Sequence, residues 1–318
     1  MTTRQRLFFW LRMAASAVML GALLSRVSWA TLLPADQGAA MAWVAVGLAL
    51  LLAAVILATL RWQRVLTALE LPTPLPPLLA HNLAGQFVAN FLPSTVGGDV
   101  LRVTRLSAAN GQGPASFASV VLERLTGFFI LPFITLAAVA VDPELLGLGR
   151  ATDVALVLSL GTLVVAVALL ALAASQTLGG RLAGRERWWR FVAAVHLGVA
   201  QIRRHPGALA AVVSTALAYQ LAIVVAAWAG AHALGIELGW FAAMAFVPVV
   251  AMAQVLPVSV NGLGLREGAL VLLLGPLGVP TTEAVALGLL LYVMNLAVSL
   301  LGAPAFAVGA RPLRAATP

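Results

Sequence analysis

The sequence predicts an all-α integral membrane protein, with about six full transmembrane helices and two re-entrant or broken helical hairpins arranged as an inverted-topology repeat. Three observations predict this fold class: the composition, a phrase that occurs twice, and the positions of the arginines. Of the 318 residues, 62% are hydrophobic and only 9% are charged. Because a soluble domain carries roughly 25% charged residues, this chain has too few polar groups to cover a water-facing surface.

Six stretches of the chain are apolar over the roughly 20 residues that a helical span needs. They lie at 7–29, 39–60, 115–140, 151–175, 207–233 and 282–309. Two further apolar regions, 75–108 and 240–280, are interrupted by helix-breaking residues. A signal peptide is the alternative interpretation of the first stretch, but no A-x-A-type cleavage site follows it cleanly.

The phrase Pro-x4-Gly-x3-Arg occurs twice, once inside each interrupted region. It reads PSTVGGDVLR at 93–102 and PVSVNGLGLR at 257–266. In a bilayer, non-helical backbone is tolerated only where it is buried in protein or lines a polar cavity. Breaks at matching positions in two halves of a chain are typical of a transporter's substrate site. We therefore expect the two breaks to face one shared cavity near the middle of the membrane.

The arginines predict the orientation of the spans. They cluster before the first span, after the second, after the first break, in the loop at 176–206 and near residue 318, whereas the other connections hold mostly acids. Among these arginines are Arg61, Arg64, Arg102 and Arg105. All clusters lie on one side only if neither interrupted region makes a net crossing, which places both termini in the cytoplasm.

With that orientation, the single membrane domain divides into two inverted repeats, 1–150 and 151–318. Each repeat contains two spans, a broken hairpin and a third span, and the second repeat begins on the opposite side of the membrane.

The residue types that are missing exclude several kinds of chemistry. The chain has no cysteine, and all 19 basic residues are arginine. Disulfides and thiolate sites are therefore impossible, and so is lysine Schiff-base catalysis. The four histidines form no close pair, so we expect no metal site and no cofactor. The net charge of +8 is interpreted as orientation against an anionic leaflet, with no nucleic-acid partner.

A stripe of polar side chains leads to the first break. Asn82, Gln86 and Asn90 lie on one face of a helix, and Ser94 follows them. Such a stripe either forms hydrogen bonds with neighbouring helices or lines a cavity. We count Asn90 and Ser94 among the candidate binding residues.

The break itself carries two glycines and two charges. Gly97 and Gly98 free the backbone for unusual dihedrals, so the N–H groups that open the next helix are candidates to hold an anion. Asp99 is interpreted either as an N-cap or as a partner for an ion or an arginine. Arg102 is either a cytoplasmic anchor or a ligand of the substrate.

Arg266 and Glu267 form the least ordinary site in the sequence. In the predicted orientation they approach from the external side, where positive charge is disfavoured, and a charge at mid-membrane costs about 2.5–3.5 kcal/mol. Asn261, Gly262 and Gly264 belong to the same break. A guanidinium beside such an opened backbone is suited to bind a phosphate through two parallel hydrogen bonds.

Glu123 and Arg124 are possible charge partners. As neighbours on a helix they point about 100° apart, so they suit two different groups rather than each other. Glu123 is also a candidate partner for Arg266. The alternative to phosphate binding is that Arg266 forms an ion pair within the protein, with Glu267, Asp99 or Glu123.

No enzyme is predicted. The glycines at 262, 264 and 268 lack the parallel sheet that surrounds a dinucleotide loop. Asp99, in a Gly-Gly-Asp run typical of intramembrane aspartyl proteases, has no second aspartate away from the span ends. Ser94 or Ser259 with His81 lacks the third member of a hydrolase triad.

Three motifs resemble a known family. NFLPSTVGGDVLR at 90–102, VLERL at 121–125 and PVSVNGLGLRE at 257–267 are similar to those of the flippase-like transmembrane family, named after the membrane region of lysylphosphatidylglycerol synthases. The resemblance covers nearly the whole chain, although Gly127 stands where relatives often carry an acidic residue. It implies a region that moves an aminoacylated phospholipid between leaflets. Synthesis belongs to a separate soluble domain, which we expect to be absent because the chain ends at Pro318.

The sequence therefore predicts a flippase or transporter in the cytoplasmic (inner) membrane, acting on a phosphate-bearing phospholipid or polyprenyl-linked lipid. We expect the head group to meet Asp99, Arg102, Arg266 and Glu267. The alternative is a non-transporting scaffold or partner subunit in envelope lipid or glycan assembly, working beside a separate biosynthetic enzyme.

Overall fold

The computed structural model describes residue 21 and residues 37–91, 96–174, 206–255 and 262–308. Every regular element in these ranges is helical, as the sequence predicts. Several predictions fall on other residues. The first predicted span apart from residue 21, most of the loop at 176–206, Ser94 and Asn261 lie outside the described residues.

In chain order the helices are α1 (Gln37–Ala68), α2 (Leu75–Phe91), α3 (Val96–Asn110), α4 (Gly113–Val141), α5 (Arg150–Ala174), α6 (Pro206–Ala233), α7 (Trp240–Gln254), α8 (Leu265–Leu274), α9 (Thr281–Leu300) and α10 (Gly302–Ala307), with 3-10 turns at Pro143–Leu148 and Gly275–Leu277. Among the described residues, five helices are long and apolar enough to cross a membrane: α1, α4, α5, α6 and α9. They confirm the five predicted spans that fall on described residues and establish a multi-pass membrane protein.

Helix α1 extends beyond the predicted span at 39–60. Its last turns carry Arg61, which is 4% exposed, and Arg64, which is exposed. The helix ends at Ala68. Glu70 then adopts a left-handed backbone with a φ of 60°, and the N–H groups of Glu70 and Leu71 donate back to the carbonyl oxygens of Thr67 and Leu66, as at a Schellman-type helix end. A span predicted from hydropathy ends at the first charged residue, whereas the helix itself continues through charged residues. Arg61 follows the predicted span in sequence, but it lies within the same helix and is buried.

Two more of the arginines used for orientation are buried within α3. Arg102 and Arg105 are 5% and 6% exposed. The two Nη atoms of Arg105 donate to the carbonyl oxygens of Ala305, at 2.8 Å, and Phe306, at 3.0 Å, where α10 ends. These two arginines are therefore packed within the protein rather than free in a connecting loop. The cytoplasmic placement of both termini stays a prediction.

The first interrupted region consists of two short helices, α2 and α3, packed against each other. They have 17 and 15 residues, so the predicted interruption is confirmed, while a re-entrant course stays a prediction. Gly97 and Gly98 have helical backbone rather than the unusual dihedrals predicted for them. Gly98 serves close packing instead, because a Cβ atom there would overlap the carbonyl oxygen of Gly85.

The second interrupted region likewise consists of two packed helices, α7 and α8, of 15 and 10 residues. Here the prediction of unusual backbone is confirmed. Gly262 and Gly264 have φ angles of 74° and 80°, which side chains of L-residues rarely tolerate. Arg266 and Glu267 follow at once in the first turn of α8.

The last predicted span, 282–309, is wrong at its end. Helix α9 stops at Leu300, and α10 begins at Gly302. Pro304 accounts for the stop, because proline cannot donate the backbone hydrogen bond that would continue the ladder. Helix α10 packs on α2, where a Cβ atom on Gly302 would overlap the carbonyl oxygen of Leu83.

The described residues group into two compact units that alternate along the chain. One contains those within Met1–Ala53, Leu131–Thr162 and Gln220–Val298, and the other those within Ala54–Ile130, Leu163–Tyr219 and Ser299–Pro318. The first break belongs to the second of these units and the second break to the first. The inverted repeat of 1–150 and 151–318 stays a prediction.

Candidate functional site

Five charged side chains join into one continuous chain of ion pairs. In order of contact they are Arg61, Glu123, Arg102, Asp99 and Arg124. They come from α1, α3 and α4, all within the unit that contains the first break. We call these five residues the charge chain. Its signs alternate, and three guanidinium groups against two carboxylates leave one surplus positive charge.

Glu123 lies between two buried guanidinium groups. Its Oε1 atom accepts hydrogen bonds from Nε of Arg61, at 2.9 Å, and from Nη2 of the same residue. Its Oε2 atom accepts from Nη1 of Arg102 at 3.1 Å. The three side chains are between 3% and 6% exposed. A single carboxylate therefore holds two arginines in a low-dielectric region, where an unpaired charge is very costly.

Asp99 connects this buried part to a more exposed arginine. Its Oδ1 atom accepts hydrogen bonds from Nη2 of Arg124, at 3.0 Å, and from Nη1 of Arg102, at 3.3 Å. The side chain of Arg124 is 57% exposed. Asp99 thus lies in the first turn of α3 and binds two arginines, as one of the two predicted interpretations had it. Arg124 thus contacts Asp99, whereas Glu123 contacts Arg61 and Arg102.

Aromatic rings cover the two buried guanidinium groups. The Cζ atom of Arg102 lies 4.2 Å from the centre of the Trp62 ring, and that of Arg61 lies 4.8 Å from the Tyr219 ring. Trp62 is fully buried and donates from Nε1 to Oγ of Ser119 at 3.0 Å. Cation–π contacts of this kind stabilise a desolvated arginine and fix the plane of its guanidinium.

The sequence reasoning missed Arg61 as a site residue, although a signal was present. Ala58, Trp62 and Val65 are buried on α1 and recur at helical spacing beyond residue 60, where the predicted span ends. Arg61 lies on that packed face, between Ala58 and Val65, whereas Arg64 points away from it and is exposed.

Both buried arginines keep hydrogen-bond donors without an acceptor among the described residues. They are Nη1 of Arg61 and Nε and Nη2 of Arg102. Gly127 makes room for the first of these groups, because a Cβ atom at 127 would lie 2.5 Å from Nη1 and 3.0 Å from Cζ of Arg61. A side chain at 127, acidic or not, would displace that arginine. The arrangement is chemically suited to accept an oxyanion.

The second break contains a separate ion pair, whose two residues bind each other. Arg266 donates from Nε, at 3.1 Å, and from Nη2 to Oε1 of Glu267. The other oxygen of this fully buried carboxylate accepts the N–H of Gly264 at 2.6 Å. Tyr292 lies 5.3 Å from the guanidinium. Of the two predicted roles for Arg266, pairing within the protein is the one that the structure describes.

The polar stripe on α2 is used within the protein. Asn82 donates from Nδ2 to Oγ1 of Thr59 on α1 at 3.0 Å, which is the predicted alternative of bonding between helices. Asn90 donates to the carbonyl oxygen of Gln86, four residues earlier, at 3.2 Å. The shared cavity between the two breaks stays a prediction.

The ion pair between Arg266 and Glu267 leads to a testable expectation. We expect Arg266→Ala to lower the abundance of folded protein in the membrane, because it strands the buried carboxylate of Glu267 at a cost of about 3–5 kcal/mol. Neutralising both residues, as Arg266→Gln with Glu267→Gln, is expected to restore abundance. Immunoblots of membranes check this, with Arg150→Ala, an exposed arginine, as the control. Normal abundance of Arg266→Ala would contradict a structural role for the pair.

Comparison with known protein families identifies the family of this chain. A family model described as the lysylphosphatidylglycerol synthase TM region matches residues 9–302. This range contains both breaks and every member of the charge chain. No curated protein matches the chain.

Proposed function

Because the chain belongs to the lysylphosphatidylglycerol synthase TM region family, we propose that it moves a phosphate-bearing lipid across the cytoplasmic membrane and catalyses no synthesis itself. The observation that carries this proposal is the charge chain. It combines a surplus positive charge with buried guanidinium donors that have no acceptor among the described residues.

A lipid phosphate meets the chemical demands of this arrangement. Charges inside a membrane protein are expensive and are mostly retained for function. Arginine presents a planar set of donors that matches the oxygens of a phosphate, and the charge-assisted hydrogen bonds that form are about twice as strong as neutral ones. A phosphate would satisfy both the unused donors and the surplus charge, which a neutral head group would leave unbalanced.

The gradient of exposure along the charge chain suggests how a head group enters. Arg124, at 57% exposed, and Asp99, at 21%, form the outer end, and Arg102 lies at 6%. A phosphate that reaches Arg124 competes with Asp99 for the guanidinium of Arg124. Asp99 also pairs with Arg102, so the next arginine along the charge chain is then close to the phosphate. Successive exchange between arginines keeps the phosphate paired while water is removed, which lowers the desolvation cost of crossing. Alternating exposure of this site to the two leaflets completes the transport.

Reconstitution in liposomes tests the proposal. Purified protein is incorporated into vesicles that contain fluorescent phosphatidylglycerol or, as the control, a fluorescent glycolipid with the same acyl chains and no phosphate. Loss of fluorescence to an impermeant quencher reports the lipid in the outer leaflet. We expect several-fold faster exchange of the phosphate-bearing lipid than in protein-free vesicles, with little change for the glycolipid.

The same experiment separates the alternative function. A non-transporting scaffold or partner subunit for a lipid-processing enzyme would bind the phosphate lipid but leave its exchange rate equal to that of protein-free vesicles. That outcome would reject transport by this chain on its own. Equal acceleration of both lipids would reject the assignment of phosphate as the recognised group.

A further inference from the structure

The hydrogen-bond donors of the charge chain that lack an acceptor among the described residues belong to Arg61 and Arg102, which both bind the carboxylate of Glu123. Arg61 occupies Oε1 of Glu123, and Arg102 occupies Oε2. Since buried polar groups almost always have a hydrogen-bond partner, the three donor atoms left over, on side chains 5% and 6% exposed, point to a ligand that brings its own acceptors.

The surroundings of the two arginines restrict what that ligand can be. Tyr219 and Trp62 each cover a face of one guanidinium, and Glu123 binds one edge of each. The donors that remain are on the other edges, and arginine has no acceptor to offer. The ligand must therefore supply several oxygen acceptors and a negative charge, as a phosphate does.

Arg266, which the sequence singled out for this role, is not in the same state. Its Nε and Nη2 atoms are bonded to Glu267, and the structure gives it no buried donor that lacks a partner among the described residues. The pair is neutral as a whole. It offers neither surplus charge nor spare buried donors to a phosphate.

We infer that Arg61 is a ligand of the head-group phosphate, binding it through Nη1 together with Nε and Nη2 of Arg102, and that the anchoring of the phosphate falls on this pair rather than on Arg266. The inference rests on the proposed function for the identity of the phosphate as a lipid head group. It adds a residue from α1 to a site that the sequence placed on α3 and α8. Glu123 then acts as a positioning residue that holds both guanidinium groups in place.

Binding measured in detergent micelles tests this inference without transport. The protein is prepared in a buffer free of phosphate and sulfate and titrated with inorganic phosphate, glycerol 3-phosphate or a short-chain phosphatidylglycerol, with acetate as a carboxylate control. Calorimetry and the rise in melting temperature report binding. We expect all three phosphate compounds to bind and acetate to bind far more weakly. Equal binding of acetate would overturn the assignment to phosphate.

Two variants and one control address Arg61 itself. We expect Arg61→Gln to weaken phosphate binding about tenfold or more, since a charged hydrogen bond and a neighbouring charge are both lost. Arg64→Gln removes the same charge from the same helix at an exposed position and is expected to bind as the natural protein does. Similar affinities for these two variants would overturn the inference.

Gly127→Ala keeps the test decisive if Arg61→Gln fails to fold. It leaves every charge in place but pushes the guanidinium of Arg61 aside, because the new Cβ atom would lie 2.5 Å from Nη1. We expect weaker phosphate binding by a folded protein, and unchanged binding would contradict the role of Arg61. Transport in liposomes that survives Arg61→Gln would overturn this inference alone. Binding that depends on Arg61 in a protein that moves no lipid would support the inference while rejecting transport.

Discussion

Replacing Glu123 with alanine is expected to remove most of the folded protein from the membrane. Arg61 and Arg102 are both buried, and both hydrogen-bond to this carboxylate. Removing one partner of a buried ion pair costs about 3–5 kcal/mol, and here two guanidinium groups lose a partner at once. Against a total stability of about 5–15 kcal/mol, this loss is severe.

Membrane abundance and the melting temperature in detergent measure the effect. Glu144→Ala, which removes an exposed acid, serves as the control and is expected to change neither quantity. A second arm replaces Glu123 and Arg61 together with glutamine, which restores the balance of charge while Arg102 keeps Asp99. Abundance should rise from single to double variant, and a Glu123→Ala protein as heat-stable as the natural one would contradict the central position of this carboxylate.

The second large effect is expected at Gly98. A Cβ atom at this position would overlap the carbonyl oxygen of Gly85 and lie 3.0 Å from Cβ of Ala89. Because backbone is in the way, α2 and α3 can accept Gly98→Val only by moving apart. We expect a loss of about 3 kcal/mol, the upper end for an overpacked core.

The displacement should also reach the charge chain, because Arg102 lies one helical turn beyond Gly98 and its Cγ atom packs against Gly85, 2.8 Å from where a Cβ would stand. The melting temperature measures the first effect and phosphate binding by the remaining folded protein measures the second. Gly161→Val is the matched control, since nothing lies within 4 Å of a Cβ at that position, and a change below about 0.5 kcal/mol is expected there. Equal effects at the two glycines would contradict the packing role of Gly98.

The membrane class, the two interrupted regions and the family are predictable from the sequence. Hydropathy over a span depends on composition, so α4, α5 and α6 lie close to their predicted bounds. Proline and glycine act on their own backbone, so both interruptions were predictable, as was the unusual conformation of Gly262 and Gly264. The motifs at the breaks also led to the correct family.

Which charges pair with each other depends on how distant helices pack. Glu123 and Arg61 are 62 positions apart in sequence, and no periodicity within one helix relates them. For the same reason, the sequence shows only that Arg61 and Arg105 follow apolar stretches, whereas in the structure they bind Glu123 and the end of α10. A charge beside an apolar run has the same local sequence whether it meets water or a partner from a distant helix. Packing decides whether that charge is buried. It therefore also decides whether the arginine faces water beside a span or belongs to a binding site.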